Sequence, residues 1–251
     1  MTWAVVVPTI GRPSLDRLLE SLRAQELPDA LGVPDEVVVV DDRPLPAAYG
    51  PLDLPRPLAA GADVRVVRSG GRGPAAARNA GWRSVAASWV VFLDDDVVLP
   101  AGWGAALGAD LAAAGPRTGG VQARLLVPLP RHRRPTDWER ATAGLEGAAW
   151  ATADMAYRRA ALEAVDGFDE RFPRAYREDA DLALRVRRAG WELERGRRVT
   201  VHPVRPARAD VSVRVQAGNA DDALLRALHG RRWRDDAQTG PGRGRRHVLT
   251  V

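Results

Sequence analysis

Short apolar runs that stop abruptly at polar or acidic residues punctuate the first hundred positions. Residues 4–7 run into Pro8 and Thr9, residues 36–40 into Asp41 and Asp42, and residues 64–67 into a glycine-rich turn. Residues 89–93 deliver Asp94, Asp95 and Asp96. Runs of this length, rich in β-branched side chains, predict strands. Between them Leu15, Leu18, Leu19 and Leu22 recur at helical spacing behind Ser14, a residue suited to capping. Pro74 opens an alanine-rich stretch as a proline in a first helical turn does. Strand and helix signals therefore alternate, and the expected fold is α/β with a mixed, mostly parallel sheet flanked by helices. Ligands of such sheets sit beyond the carboxyl ends of the strands. One crevice should collect Thr9, Asp41, Arg78 and the aspartate triplet.

The second half is less regular. Residues 128–140 are expected to be a proline- and arginine-rich loop carrying Trp138. Helices are expected near 158–165 and 179–189, the latter closed by Gly190, and a short strand at 199–201 ends in His202. A proline-studded loop with Pro44, Pro46, Pro51, Pro55 and Pro57 follows the second strand. One more helical stretch is expected after about 215, and residues 231–251 have the composition of a basic, flexible tail.

With 251 residues, 45% of them hydrophobic, the chain can bury one good core. No apolar run approaches the length of a membrane span. The N-terminal residues lack a basic leader segment, and the absence of cysteine excludes disulfides and thiolate metal sites. These features favour the cytoplasm. The net charge of +5 changes the picture little, because all 37 basic residues are arginines interspersed with 32 acids. That pattern describes a solvated basic surface rather than a specific nucleic-acid site. It leaves room for an anionic substrate or peripheral contact with membrane headgroups.

Candidate chemistry concentrates in four places. Three consecutive carboxylates repel one another, and a hard cation such as Mg²⁺ or Mn²⁺ would relieve them, although a solvated acidic turn has the same sequence. Glu178 and Asp179 open a helix, where carboxylates are favoured both as caps and as bases. His202 gains meaning if it faces the triplet. Residues 71–76 fit the G-x-G-x-x-A dinucleotide pattern, but on the third strand, with three aspartates downstream where one would suffice. A glycine turn at a helix start suits a phosphate in either case.

Taken in order, residues 5–13, 38–42, 73–81, 92–96 and 167–170 and the pair Glu178-Asp179 resemble the family 2 inverting glycosyltransferases of the GT-A fold, over roughly residues 2–205. The resemblance implies a nucleotide-sugar donor, a UDP-sugar first among them, and a Mg²⁺ or Mn²⁺ ion. Pro8, Thr9 and Arg12 would line the nucleotide pocket, and Asp41 would meet the base or ribose. Arg78 and Asn79 would lie near the base and diphosphate, with Asp94 and Asp95 also on the donor side. Asp96, with Asp94 and His202, would hold the metal. Asp179 matches the general base, with Glu178 beside it. Asp154 stands where many relatives carry asparagine, and with Trp138 and Arg205 it is a candidate for the acceptor side. The resemblance also implies that Arg205 supports the phosphates. The implied organisation is one domain over 1–230, a nucleotide-binding half at about 1–100 and an acceptor-binding half at about 101–230, then the tail. The implied acceptor is a hydroxyl of a saccharide, a lipid-linked molecule or a natural product, with no specific nucleic acid. The alternatives are a nucleotidyltransferase that makes sugar nucleotides, which should carry a glycine-rich stretch where residues 8–13 have only Gly11, and a degenerate relative that binds without transferring.

Overall fold

The computed structural model of the protein describes residues 1–44, 50–52, 54, 62–206 and 218–239. In chain order these form β1 (Trp3–Thr9), α1 (Ser14–Arg23), β2 (Glu36–Asp41), β3 (Asp63–Arg68), α2 (Pro74–Arg83), β4 (Trp89–Leu93), α3 (Trp103–Ala113) and β5 (Thr118–Leu126). There follow α4 (Asp137–Ala143), a 3₁₀ turn (Gly144–Gly147), β6 (Asp154–Arg158), α5 (Arg159–Glu163), α6 (Glu178–Arg188), β7 (Glu192–Val201), α7 (Asn219–His229) and α8 (Trp233–Asp236). A single seven-stranded sheet runs in the order β3-β2-β1-β4-β6-β5-β7. The β3-β2-β1-β4 side is parallel, and β6 lies antiparallel between β4 and β5. The mixed, mostly parallel sheet expected from the sequence is the observed one.

Both faces of β1 are covered, which is why its residues read as a continuous apolar run. Trp3, Val5 and Val7 pack with the leucines of α1 and with Trp103 and Leu107 of α3. Ala4 and Val6 face α2, among Ala75, Ala77 and Trp82. The approach of α2 is close enough that a Cβ on Gly81 would lie 2.3 Å from Val6 Cγ1.

Several details depart from the sequence-based expectation. Ser14 starts α1 but its buried hydroxyl has no partner among the described residues, and Pro13 occupies the cap position. The stretch expected as a loop to residue 140 contains α4, opened by a reciprocal capping box between Thr136 and Glu139. Helix α3 and strand β5 escaped prediction: α3 buries Gly104 and Asp110 along with Trp103, Leu107 and Leu111, so its inner face has no clean apolar stripe. Strand β7 spans ten residues, not three, because it is an edge strand whose exposed glutamates and arginines hide the alternation.

The packed body also extends past residue 230. Trp233 and Ala237 are buried with Phe172, Ala180, Leu184 and Leu225 in a small third cluster, so residues 231–239 are not tail. Residues 240–251 of the expected tail, and Pro46, Pro55 and Pro57 of the expected loop, lie outside the described residues. Truncating a buried tryptophan typically costs about 3–5 kcal/mol. Trp233→Ala should lower the denaturation midpoint accordingly, whereas Arg231→Ala on the exposed surface should leave it unchanged.

Candidate active site

The triplet occupies the turn after β4, pinned from two sides. The Asp94 amide donates to Ala153 O at 3.2 Å, and Val98 and Val201 exchange backbone hydrogen bonds of 2.8 and 3.0 Å. The three carboxylates diverge, and each finds its own arginine. Asp94 pairs with Arg78 at 2.7 Å, Asp95 with Arg12 at 2.7 Å and Asp96 with Arg205 at 2.8 Å. The repulsion that would otherwise demand a cation is thus already met within the chain. Geometry makes the better case for a metal. Ligand atoms of Asp94, Asp96 and His202 all lie within 4.8 Å of one another. His202 Nε2 stands 3.5 Å from Asp96 Oδ1, and among the described residues its buried Nδ1 has no partner. Burial, and next the charge of Asp94, push the Asp96 carboxyl above the ordinary carboxylate range, a strain that a cation would relieve. Two carboxylates and an imidazole fit a divalent ion that keeps further positions for water or phosphate oxygens.

Arg78, on α2, joins this cluster to the start of α6. It is buried, donating through Nη2 to Asp94 and through Nη1 to Glu178 Oε1 at 2.8 Å. Burial, followed by the charge of Asp179, pushes Glu178 up to about 8. Asp179 is half-buried, and one of its oxygens accepts from the Ala180 amide at 2.7 Å. Burial raises its pKa as well. The residue before the pair, Arg177, adopts a left-handed φ of 77°. It is held there by Asp222 at 2.7 Å and lies over the rings of Tyr176 and Trp233.

Other expected site residues have been drawn into different work. Thr9 donates to Asp95 Oδ2 at 2.6 Å, so both help fix the turn that carries half-buried Pro8 and Arg12. Both oxygens of Asp41 accept from Arg43, whose guanidinium lowers its pKa. Asn79 accepts from Trp82 Nε1 and the Phe168 amide and donates to Phe168 O and Glu170. Its hydrogen-bonding capacity is used up, so it braces the 167–170 loop instead of meeting a nucleotide. Asp154 is fully buried beneath the site, where it accepts from Trp103, Arg198 and Thr200. A carboxylate so enclosed cannot meet an acceptor, and its place as an acceptor residue is withdrawn. Trp138 does approach the cluster, donating to Arg205 O at 2.9 Å.

The glycine turn before α2 is not an open phosphate cradle. Asp42 accepts from the amides of Arg72 and Gly73 at 3.0 and 2.9 Å and from Ser69 Oγ at 2.7 Å. The chain supplies its own anion there. Asp42 was not singled out from sequence, although its place after β2, facing the next strand's turn, is the signal that could have found it.

Residues 4–120 match the model of the family described as glycosyl transferase family 2. The match spans a little under half of the chain. The family 2 segment contains Arg78 and Asp94–Asp96, while Glu178, Asp179 and His202 lie beyond it and rest on the geometry above. No curated protein matches the chain in sequence. Among solved structures, it resembles mannosyltransferase PcManGT from Pyrobaculum calidifontis in complex with GDP-Man and Mn²⁺, with a TM-score of 0.58 and 24% identity. That match covers 88% of this chain but 64% of the mannosyltransferase. It also resembles TarS 1-349 of S. aureus in complex with UDP-GlcNAc, at a TM-score of 0.53 and 18% identity, covering 84% of this chain and 61% of that one. Glucosyl-3-phosphoglycerate synthase from Mycobacterium tuberculosis, in complex with Mn²⁺, UDP-Glc and phosphoglyceric acid, matches at a TM-score of 0.56 and 17% identity. There the coverage is 96% of this chain and 81% of the other. The chain therefore spans less than two thirds of the first two. At these identities the likeness establishes the fold, and the fold is of the GT-A type.

The raised carboxyls carry a pH signature. A carboxyl whose folded pKa exceeds its unfolded one holds its proton more tightly in the fold. Its stabilising contribution is complete below the unfolded value and is lost as pH rises through the folded one. For Glu178 that window runs from 4.5 up to about 8. The metal-free protein should lose thermal stability across it, and Glu178→Gln should flatten the slope in melting temperature against pH.

Proposed function

We propose that the protein transfers a sugar from a nucleotide-sugar donor to an acceptor hydroxyl with inversion, Asp179 serving as general base. The observation that carries this reading is one constellation at the carboxyl edge of the sheet. A cation-sized gathering of Asp94, Asp96 and His202 is joined through Arg78 to a helix start bearing a half-buried aspartate. The family 2 match over residues 4–120 and the fold shared with donor-bound transferases support it.

Asp94, Asp96 and His202 would hold Mg²⁺ or Mn²⁺, which, when bound, neutralises charge on a departing nucleoside diphosphate. Arg12 and Arg205, both partly exposed, are placed to meet phosphate oxygens once they leave Asp95 and Asp96. Asp179 would take the acceptor proton as the acceptor oxygen attacks the anomeric carbon opposite the leaving group, and no covalent sugar intermediate is formed. Its raised pKa suits this role, because a base is most effective when its pKa lies nearer the working pH. Glu178, protonated over a wider range and tied to Arg78, orients the helix start. UDP-sugars are the donors proposed first. Among the described residues no helix is long and apolar enough to cross a membrane.

Nucleoside diphosphate with Mn²⁺ should raise the melting temperature, and EDTA should remove the gain. Asp96→Ala should abolish the metal-dependent part. Equal stabilisation with and without metal would sink the metal-assisted reading.

Asp179→Asn should leave donor and metal affinity nearly unchanged while turnover falls by about 10²–10⁴-fold. In the unaltered protein kcat/KM should rise with pH through a value above the ordinary carboxylate range. Retained turnover in Asp179→Asn would move the base elsewhere, and retained nucleotide binding without any transfer activity in the unaltered protein would favour a degenerate binder.

A further inference from the structure

On the outer side of the site, the pairing of β5 with β7 breaks register. Gln122 stands opposite Arg195, but Arg124 stands opposite Val199, so β7 spends extra residues between the two pairs. The excess turns Arg198 inward to Asp110 and Asp154. Where the register jumps lies a cavity of about 280 Å³ lined by residues 122–126, Glu146, Ala148 and Arg195. Gln122 forms part of its wall and holds the neighbouring loop, donating to Ala148 O at 3.0 Å and accepting from the Trp150 amide at 2.5 Å.

Two arginines among the lining residues, both exposed, differ from those around the triplet. Arg12, Arg78 and Arg205 each pair with a carboxylate, whereas among the described residues neither Arg124 nor Arg195 has a hydrogen-bond or ion-pair partner. The one carboxylate in the wall, Glu146, is turned toward the Val127 amide, from which it accepts at 2.7 Å. The cavity thus offers two uncompensated positive charges against one partly engaged negative charge. Guanidiniums with free N–H groups favour phosphate and carboxylate oxygens.

The cavity adjoins the candidate active site along β5. Leu126, a lining residue, accepts through its carbonyl from the His202 amide at 2.8 Å. Strand rise places the Cα of Arg124 about 7 Å back along β5 from Leu126, roughly the length of a small phosphate ester. We infer that this cavity takes the acid group of the acceptor, a phosphate or carboxylate held by Arg124 and Arg195, so that the acceptor hydroxyl extends toward His202 and the triplet. The inference rests on the transferase reading for the word acceptor. The anion site itself stands on the cavity and its two arginines. A soluble phosphate ester and a lipid-linked phosphate share this chemistry.

The test uses the full chain and glycerol 3-phosphate as probe, with glycerol as the uncharged control. Titrations are run with and without UDP plus Mn²⁺, so that filling the donor site removes competing phosphate binding there. Glycerol 3-phosphate should bind in both conditions and glycerol in neither. Arg124→Ala combined with Arg195→Ala should weaken the phosphate ester by at least about tenfold while leaving UDP–Mn²⁺ affinity unchanged. The corresponding double lysine variant, which keeps the charge, should recover part of the loss. Vesicles containing phosphatidic acid, set against phosphatidylcholine alone, identify the source. Retention by the former, lost in the double alanine variant, points to a lipid-linked acceptor, and soluble binding without retention points to a free one. Undiminished glycerol 3-phosphate affinity in the double alanine variant, or no binding of either phosphate source, overturns the proposal. Failure of UDP–Mn²⁺ to bind would instead strike the donor reading and leave the anion result to be judged by itself.

Discussion

A guanidinium buried in a protein must be matched by negative charge and acceptor oxygens, because an unpaired charge removed from water is costly and breaking such a pair is strongly destabilising. Arg78 imposes that requirement on the whole site. Its two partners, Asp94 and Glu178, come from the end of β4 and the start of α6, far apart in the chain. Holding both fixes the helix that bears Asp179 relative to the turn that bears Asp96. The surroundings reinforce the bridge. Phe168 lies 5.6 Å from the Arg78 guanidinium, and Asn79, the next residue of α2, clamps the Phe168 backbone from both its amide and its carbonyl.

The same logic of internal compensation recurs around the crevice. Each triplet aspartate has an arginine, Asp41 has Arg43, and Asp42 occupies the glycine turn where an external anion would otherwise sit. Binding here, as proposed, would therefore be exchange. In the proposed function an entering cation would compete with Arg205 for Asp96, and a phosphate would gain Arg205 only as that pair opens. At the β5–β7 cavity no such exchange would be required, because among the described residues Arg124 and Arg195 have no ion-pair partner.

On the far side of α6, the α7–α8 pair grips the segment leading into the candidate base. Asp221 pairs with Arg174, Asp222 with Arg177, and His229 with Asp181. The left-handed backbone at Arg177, unfavourable for a residue with a side chain, persists because its guanidinium is held by Asp222 beside Trp233. The C-terminal helices thus belong to the site's support.

The parallel half of the sheet, the strand-end placement of Asp94–Asp96 and the helix opening at Glu178 were legible in the sequence, because strand and helix periodicities are local properties of a dozen residues. The order of motifs further pointed to the family. Which carboxylates stay available to chemistry was not legible. Asp154 and Asp179 look alike in sequence, but a register break in β7 sends Arg198 to Asp154 and closes it off, whereas Asp179 at the start of α6 remains half-buried. Asn79 and Arg78 are neighbours, yet the turn of α2 sends one into the 167–170 loop and the other between Asp94 and Glu178. Such partnerships join residues separated by tens of positions, and only the packed sheet decides them, because burial makes every polar group seek whatever partner the fold brings within reach.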